Sequence, residues 1–153
     1  MKTDPRKMFR PPFLAIGALV VAWGVDRMFP TSPIAALPAR LGAAIAFLTA
    51  GGVLAAWTVR LFDRAGTTHK PWEKPSGLVR EGPYRHSRNP MYVGVALFLL
   101  GIGALVGTVP FLLVPVVWLV VVDRFFVRFE ERLLADLCGE AYWQYKRRVR
   151  RWI

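Results

Sequence analysis

The chain divides into long apolar blocks separated by polar stretches rich in proline and glycine. Leu41 to Val59 carries no charged residue, and neither does Met91 to Val122. A helix needs about 20 apolar residues to span the hydrocarbon core of a bilayer. The second block is too long for one crossing, since as a helix it would reach roughly 48 Å against a core of about 30 Å. Gly107, Thr108 and Pro110 break it near the middle. The pattern therefore predicts a tight hairpin of segments 91–107 and 111–122, with Pro115 kinking the second arm. An earlier apolar stretch, 13–29, is interrupted near its end by Asp26 and Arg27. A cleaved signal peptide competes for this stretch. No small-x-small cleavage site followed by a polar chain precedes the next helix, so a retained membrane helix is the expectation.

Between these blocks, Pro30 to Arg40 reads as a short external loop. Arg60 to Asn89 turns polar, and prolines 71, 75 and 83 with glycines 66, 77 and 82 argue against one long helix there. A loop of that length in a compact protein is usually functional. After Val122 the second hairpin arm is expected to continue as an amphipathic helix from Arg124 to Leu137. Gly139 ends it, and Glu140 to Arg151 begins another polar, aromatic-bearing helix. The fold class that results is all-α: one polytopic membrane domain over 1–153. It has four membrane segments (13–29, 41–59, 91–107 and 111–122) and a ligand-binding region built from 60–90 and 123–153.

Composition sharpens this picture. Of 153 residues, 54% are hydrophobic and 20% charged, and 21 Lys and Arg outnumber 10 Asp and Glu to give a net charge of +11. In a soluble chain that charge would suggest nucleic acid. Here the cations lie between apolar blocks, so anionic lipid headgroups are the expected partner and nucleic acid is not. All Lys and Arg except Arg27 and Arg40 lie in the N-terminus, the Arg60–Arg88 stretch or the tail after Val122. The positive-inside rule then puts both termini in the cytosol, in a cytoplasmic (inner) membrane. One cysteine, Cys138, excludes an internal disulfide, and with only two histidines no metal site is expected.

Two clusters carry the candidate chemistry. The first, Ser76 to Tyr92, joins a glycine-proline turn, arginines 80, 85 and 88, and tyrosines 84 and 92 to the start of an apolar helix. It fits a basic belt at the headgroups. It also fits a helix N-terminus whose free N–H groups bind a carboxylate or phosphate. The second is Arg124 to Arg132. Glu130 and Glu131 point about 100° apart on a helix, so at most one faces a pocket. Alternatively both are solvated and pair with Arg124 or Arg128. Phe125, Phe126 and Phe129 suit an interfacial face or a wall for a cationic ligand. Gly103 and Gly107 form a small-xxx-small pair suited to helix packing. Lys146 to Arg151 reads as a tail lying on anionic lipid.

Together the two clusters resemble the isoprenylcysteine carboxyl methyltransferase family. The first signature is Leu78-Val79-x-x-Gly82-Pro83-Tyr84-Arg85-x-x-Arg88-Asn89-Pro90-Met91-Tyr92-x-Gly94. The second is Glu130-Glu131-x-x-Leu134, followed by Gly139-Glu140-x-Tyr142-x-x-Tyr145-Lys146-x-x-Val149. The match covers 76–153, with an apolar hairpin between the halves. The wider group includes phospholipid and thiol methyltransferases. The resemblance implies methyl transfer from S-adenosyl-L-methionine, at the cytosolic face, to a lipophilic acceptor entering from the bilayer. Carried over, cofactor contacts fall on His69, Ser76, Gly77, Leu78, Val79, Tyr84, Asn89, Pro90, Met91, Tyr92 and Glu130. Two departures stand out. Asn89 replaces the histidine of the eukaryotic enzymes, and both Arg124 and Arg128 compete for the role of the substrate-contacting arginine.

The residue types suit that reaction. A carboxylate such as Glu130 and aromatic faces can hold a sulfonium, while an arginine or a helix N-terminus suits a carboxylate. Arg88, Arg124 and Arg128 are the expected catalytic orienters of an anionic or thiol acceptor, with His86 dispensable. The rival functions are a phospholipid amine or small-thiol methyltransferase, an NADPH-dependent membrane reductase of similar architecture, and a non-catalytic scaffold.

Overall fold

The structure, a computed structural model, describes residues 11–68 and 77–153. Its elements are α1 (Pro11–Met28), α2 (Leu37–Arg64), a 3-10 turn (Gly82–Arg85), α3 (Pro90–Val106), α4 (Val109–Val122), a π-helical turn (Asp123–Val127), α5 (Arg128–Cys138) and α6 (Glu140–Arg148). Among the described residues there is no strand, only an isolated parallel bridge between Ser87 and Arg150. The all-α class is as expected.

Three helical stretches are long and apolar enough to cross a membrane: α1, α2 and the continuous run Val109–Cys138, whose uncharged part ends at Val122. The fourth expected segment is present as α3, a shorter apolar helix of 17 residues. The structure thus carries four apolar helices, of which three reach spanning length. α2 is longer than its apolar block, with 28 residues from Leu37 to Arg64. Charge marks where the bilayer ends, but it does not stop a helix. Arg60, Asp63 and Arg64 extend this one beyond the membrane core. The helix stops at Gly66, whose φ of 62° lets Thr67 N–H reach the Phe62 carbonyl (3.1 Å) and Gly66 N–H the Asp63 carbonyl (3.2 Å).

Packing between α2 and α3 sets the frame. A Cβ at Gly51 would lie 2.5 Å from the Gly94 carbonyl oxygen, and one at Gly101 would lie 2.9 Å from the Leu48 nitrogen. Only glycine permits backbones this close. Gly103 plays the same part against Phe111 of α4. Gly107 does not pair with it in a helix interface, contrary to the expectation from its spacing. With φ of 81° it caps α3 and turns the chain into α4. The first turn of α2 and the loop before it stitch this turn: Arg40 donates to the Leu105 carbonyl (2.6 Å), and Ile34 N–H to the Gly107 carbonyl (3.0 Å).

α1 packs on α4, where Trp118 Nε1 donates to the Pro11 carbonyl at 3.4 Å. The core between α1, α3 and α4 is Tyr92, Leu99, Phe111, Val114, Trp118 and Val122, continued by Phe126 and Val127 of the π-helical turn. Large apolar side chains face outward on α1, α2 and α4, among them Phe13, Trp23, Ile45, Val53, Val116 and Val120. So large an exposed apolar surface belongs against lipid or another protein.

Candidate functional site

A cavity of about 540 Å³ opens between α1, α3, α4 and the segments after Asp123, a size usual for a small-molecule site. One end is polar, lined by Gly77, Tyr84, Arg88, Asn89, Glu130 and Glu131. The remainder is an apolar wall that includes Ala15, Ile16 and Leu19 of α1, Phe98 and Ile102 of α3, and Trp118 of α4.

Glu131 organises the polar end. It is buried, and its carboxylate accepts from Arg88 Nη2 (2.7 Å) and Nε (3.3 Å), and from Arg151 Nη2 (2.8 Å) and Nε (3.0 Å). Lys146 Nζ lies 3.6 Å away. Burial would raise its pKa, but the Arg151 and Arg88 hydrogen bonds outweigh that and hold it below the usual carboxylate value. Glu131 is therefore neither solvated nor paired with Arg124 or Arg128, which corrects the simpler of the two sequence readings. Arg88 is equally committed. Its Nη1 donates to the carbonyls of Lys146 (3.1 Å) and Val149 (2.8 Å), so four hydrogen bonds draw on its five N–H groups. It anchors the C-terminal segment and has little left with which to orient an acceptor.

The same segment fastens the first signature. Arg88 N–H donates to the Arg150 carbonyl (2.9 Å). Asn89 Nδ2 and Ser87 Oγ donate to the Arg151 carbonyl, at 3.0 and 3.3 Å. Tyr145 donates its hydroxyl to the Tyr84 carbonyl (2.7 Å). Lys146 and Arg151 therefore turn inward, whereas Arg148 and Arg150 are exposed. From the other side, Phe62 of α2 meets Tyr84 edge-on at 5.6 Å between ring centroids. Burial foremost, then Glu130, pushes the Tyr84 pKa upward and keeps it a phenol. α3 starts at Pro90 with no side-chain cap from Asn89, which leaves its first-turn N–H groups to other acceptors. Tyr92 donates to Glu130 at 2.7 Å.

Most of the residues expected from the sequence converge. Gly77, Leu78, Val79, Tyr84, Arg88, Asn89, Met91, Tyr92 and Glu130 all line the cavity, and Pro90 is buried beside them. His69 and Ser76 lie outside the described residues. Arg124 and Arg128 are not brought to the cavity. Both are exposed, and Arg128 pairs with Asp123 at 3.5 Å. His86 is also exposed. Residues to which the sequence reading gave no part in the site prove central: Glu131, Arg151, Tyr142, Tyr145 and Trp118. Glu131, Tyr142 and Tyr145 stand in the second signature, which was their only sign; Arg151, expected on anionic lipid, lies outside it, and Trp118 sits in an apolar block. The π-helical turn at Asp123–Val127 was also unforeseen. Such turns shift the register of a helix and concentrate at functional sites; this one precedes Glu130 and Glu131.

The donor set suits a cationic nucleoside cofactor such as S-adenosylmethionine. A carboxylate (Glu130), aromatic faces, a helix start without a side-chain cap and a buried tyrosine hydroxyl with no partner among the described residues come together at the cavity. Among the described residues no cluster could hold a metal ion.

No curated protein and no solved structure matches the chain. A sequence model of the phospholipid methyltransferase family does, over residues 39–141, which takes in α2 through α5, the 3-10 turn and both glutamates. With that match across most of its length and with its apolar helices, the chain is an integral membrane methyltransferase of the phospholipid methyltransferase family, the group to which the isoprenylcysteine carboxyl methyltransferase-like enzymes belong.

Proposed function

We propose that the protein transfers a methyl group from S-adenosylmethionine to a lipophilic, anionic acceptor, of the isoprenylcysteine carboxylate kind, at the cytosolic face of the inner membrane. The observation that carries this reading is one cavity that is charged at one end and apolar along α1, α3 and α4. A polar cofactor suits the first part and a lipid chain the second.

When bound, S-adenosylmethionine supplies an electrophilic methyl group. Glu130, fixed by Tyr92, would hold positive charge beside it, and the start of α3, which has no side-chain cap, would receive the methionine carboxylate. The apolar wall would align the acceptor and exclude water, from which most of the rate should come. Glu131 is held ionised by Arg88 and Arg151, and among the described residues no histidine lines the cavity. These features favour an acceptor that needs no general base, hence a carboxylate or thiolate. A phospholipid amine is the second reading, favoured by the family match, with Glu130 as the base.

Purified protein in lipid nanodiscs, given methyl-labelled S-adenosylmethionine, should label a farnesylated cysteine with a rate flat above about pH 5. Labelling of phosphatidylethanolamine alone, with a rate rising toward the amine pKa, would establish the second reading. Tight NADPH binding without labelling would mark a reductase.

A further inference from the structure

We infer that Tyr142, through its phenolic hydroxyl, is a hydrogen-bond donor to the nucleoside cofactor, an additional binding residue of this site. The inference rests on the cofactor reading above.

Tyr142 is 1% exposed, among the most completely buried large side chains of the molecule. It forms a buried cluster with Tyr145 and Val149, against which Leu78, Leu134 and Cys138 pack. Its hydroxyl finds no hydrogen-bond partner among the described residues. Buried hydroxyls are seldom left so, because removal from water is repaid only by a new bond. The neighbouring polar groups are all engaged: Arg88 with Glu131, Tyr92 with Glu130, Asn89 with Arg151 and Tyr145 with Tyr84. Tyr142 is the exception, and it lines the cavity.

Its position indicates the cofactor rather than the lipid acceptor. Leu78, which packs against the cluster that holds Tyr142, belongs to the Gly77–Val79 stretch at the polar end, whereas the apolar wall is built from α1, α3 and α4. Burial, then the charge of Glu131, pushes the Tyr142 pKa up to about 12, so the group stays protonated and offers a hydrogen rather than a charge. A protonated hydroxyl with no protein acceptor suits a ligand acceptor: a ribose or adenine atom, or the amino-acid carboxylate.

The test uses full-length protein in detergent, with thermal unfolding and calorimetric titration of S-adenosylhomocysteine and 5′-methylthioadenosine, for wild type, Tyr142→Phe and Tyr145→Phe. Tyr142→Phe removes only an unbonded hydroxyl, so its unfolding temperature should match or exceed that of wild type. Its Kd for S-adenosylhomocysteine should rise about three- to tenfold, the loss of one neutral hydrogen bond. Tyr145→Phe, which loses a bond to Tyr84, should show the opposite pattern in the unliganded protein, with a lower unfolding temperature. An equal rise with methylthioadenosine assigns the bond to the nucleoside, and a rise confined to the homocysteine compound assigns it to the carboxylate. Unchanged affinity for both ligands in Tyr142→Phe overturns the inference while leaving the cofactor reading intact. So does a lowered unfolding temperature without an affinity change, which would make the residue structural. Failure of wild type to bind either ligand would defeat the cofactor reading itself.

Discussion

On α5 the carboxylates of Glu130 and Glu131 diverge by about 100°, and their surroundings divide them. Glu130 accepts from Tyr92 at the cavity, while Glu131 is buried among Arg88, Arg151 and Lys146. Removing one partner of a buried ion pair strands the others and costs about 3–5 kcal/mol. Glu131→Gln should therefore lower stability by roughly that amount and loosen the C-terminal segment. Glu130→Gln should leave unfolding nearly unchanged and weaken S-adenosylmethionine binding about tenfold or more. Thermal unfolding and titration of the two variants check both; similar small effects from both would return the pair to a solvated face. Acid gives a further test. The folded pKa of Glu131 lies below its ordinary 4.5. The stability that this shift contributes is fully present above about pH 4.5 and is lost as pH falls through the lowered folded value. Wild type should thus lose its stability advantage over Glu131→Gln only on acidification below about pH 4.5, in unfolding scans across pH. The sequence singled out Glu130, which the structure brings to the cavity. It could not assign Glu131, because the cations that bury it come from two distant parts of the chain, Arg88 and the Lys146–Arg151 segment.

At the level of elements, the α2–α3 contact is the closest in the molecule and depends on what is missing from it. Gly51→Ala would put a carbon about 2.5 Å from the Gly94 carbonyl oxygen, so the helices must separate. Overpacking of this kind costs about 1–3 kcal/mol. Gly52→Ala, one residue along, meets nothing within 4 Å and should be neutral or slightly stabilising through helix propensity. Thermal unfolding of the pair in detergent measures the contrast, and equal effects would refute the packing account. Helix ends were harder to read than helix existence. α2 overran its apolar block because backbone hydrogen bonding continues past the first charges. Gly107 became a cap because its positive φ, not its spacing, fixed its role.

At the scale of the whole molecule, helix length and the placement of charge set the number of crossings. The charge bias predicts an external hairpin turn between α3 and α4, with α3 crossing despite its 17 residues. Thr108 at that turn is buried, whereas Val109 is half exposed at 49%. Val109→Cys, in a chain where Cys138 is replaced by serine, should react with an impermeant thiol reagent applied to intact cells. Reaction only after the cells are opened would place the turn inside and reduce the crossings. The C-terminal segment is the other whole-molecule feature. Residues 149–151 hold Arg88, Ser87 and Asn89 through backbone carbonyls. The binding region is therefore closed by residues some 60 positions distant in the chain.

The sequence alone determined the all-helical membrane architecture, the hairpin and most of the cavity's polar lining. Apolar block length and turn residues act locally, and the two signatures keep their spacing whatever the packing. Only the tertiary structure decided which charges are buried, which arginines reach the cavity, and that Tyr142 has an unbonded hydroxyl. Arg151 and Arg128 are both arginines in basic, aromatic stretches, and nothing in their neighbours distinguishes them. One is folded back onto Glu131 and the other is left on the surface by the π-helical turn and the path of the chain after α6. Desolvation and long-range pairing exist only once segments distant in the chain are brought together.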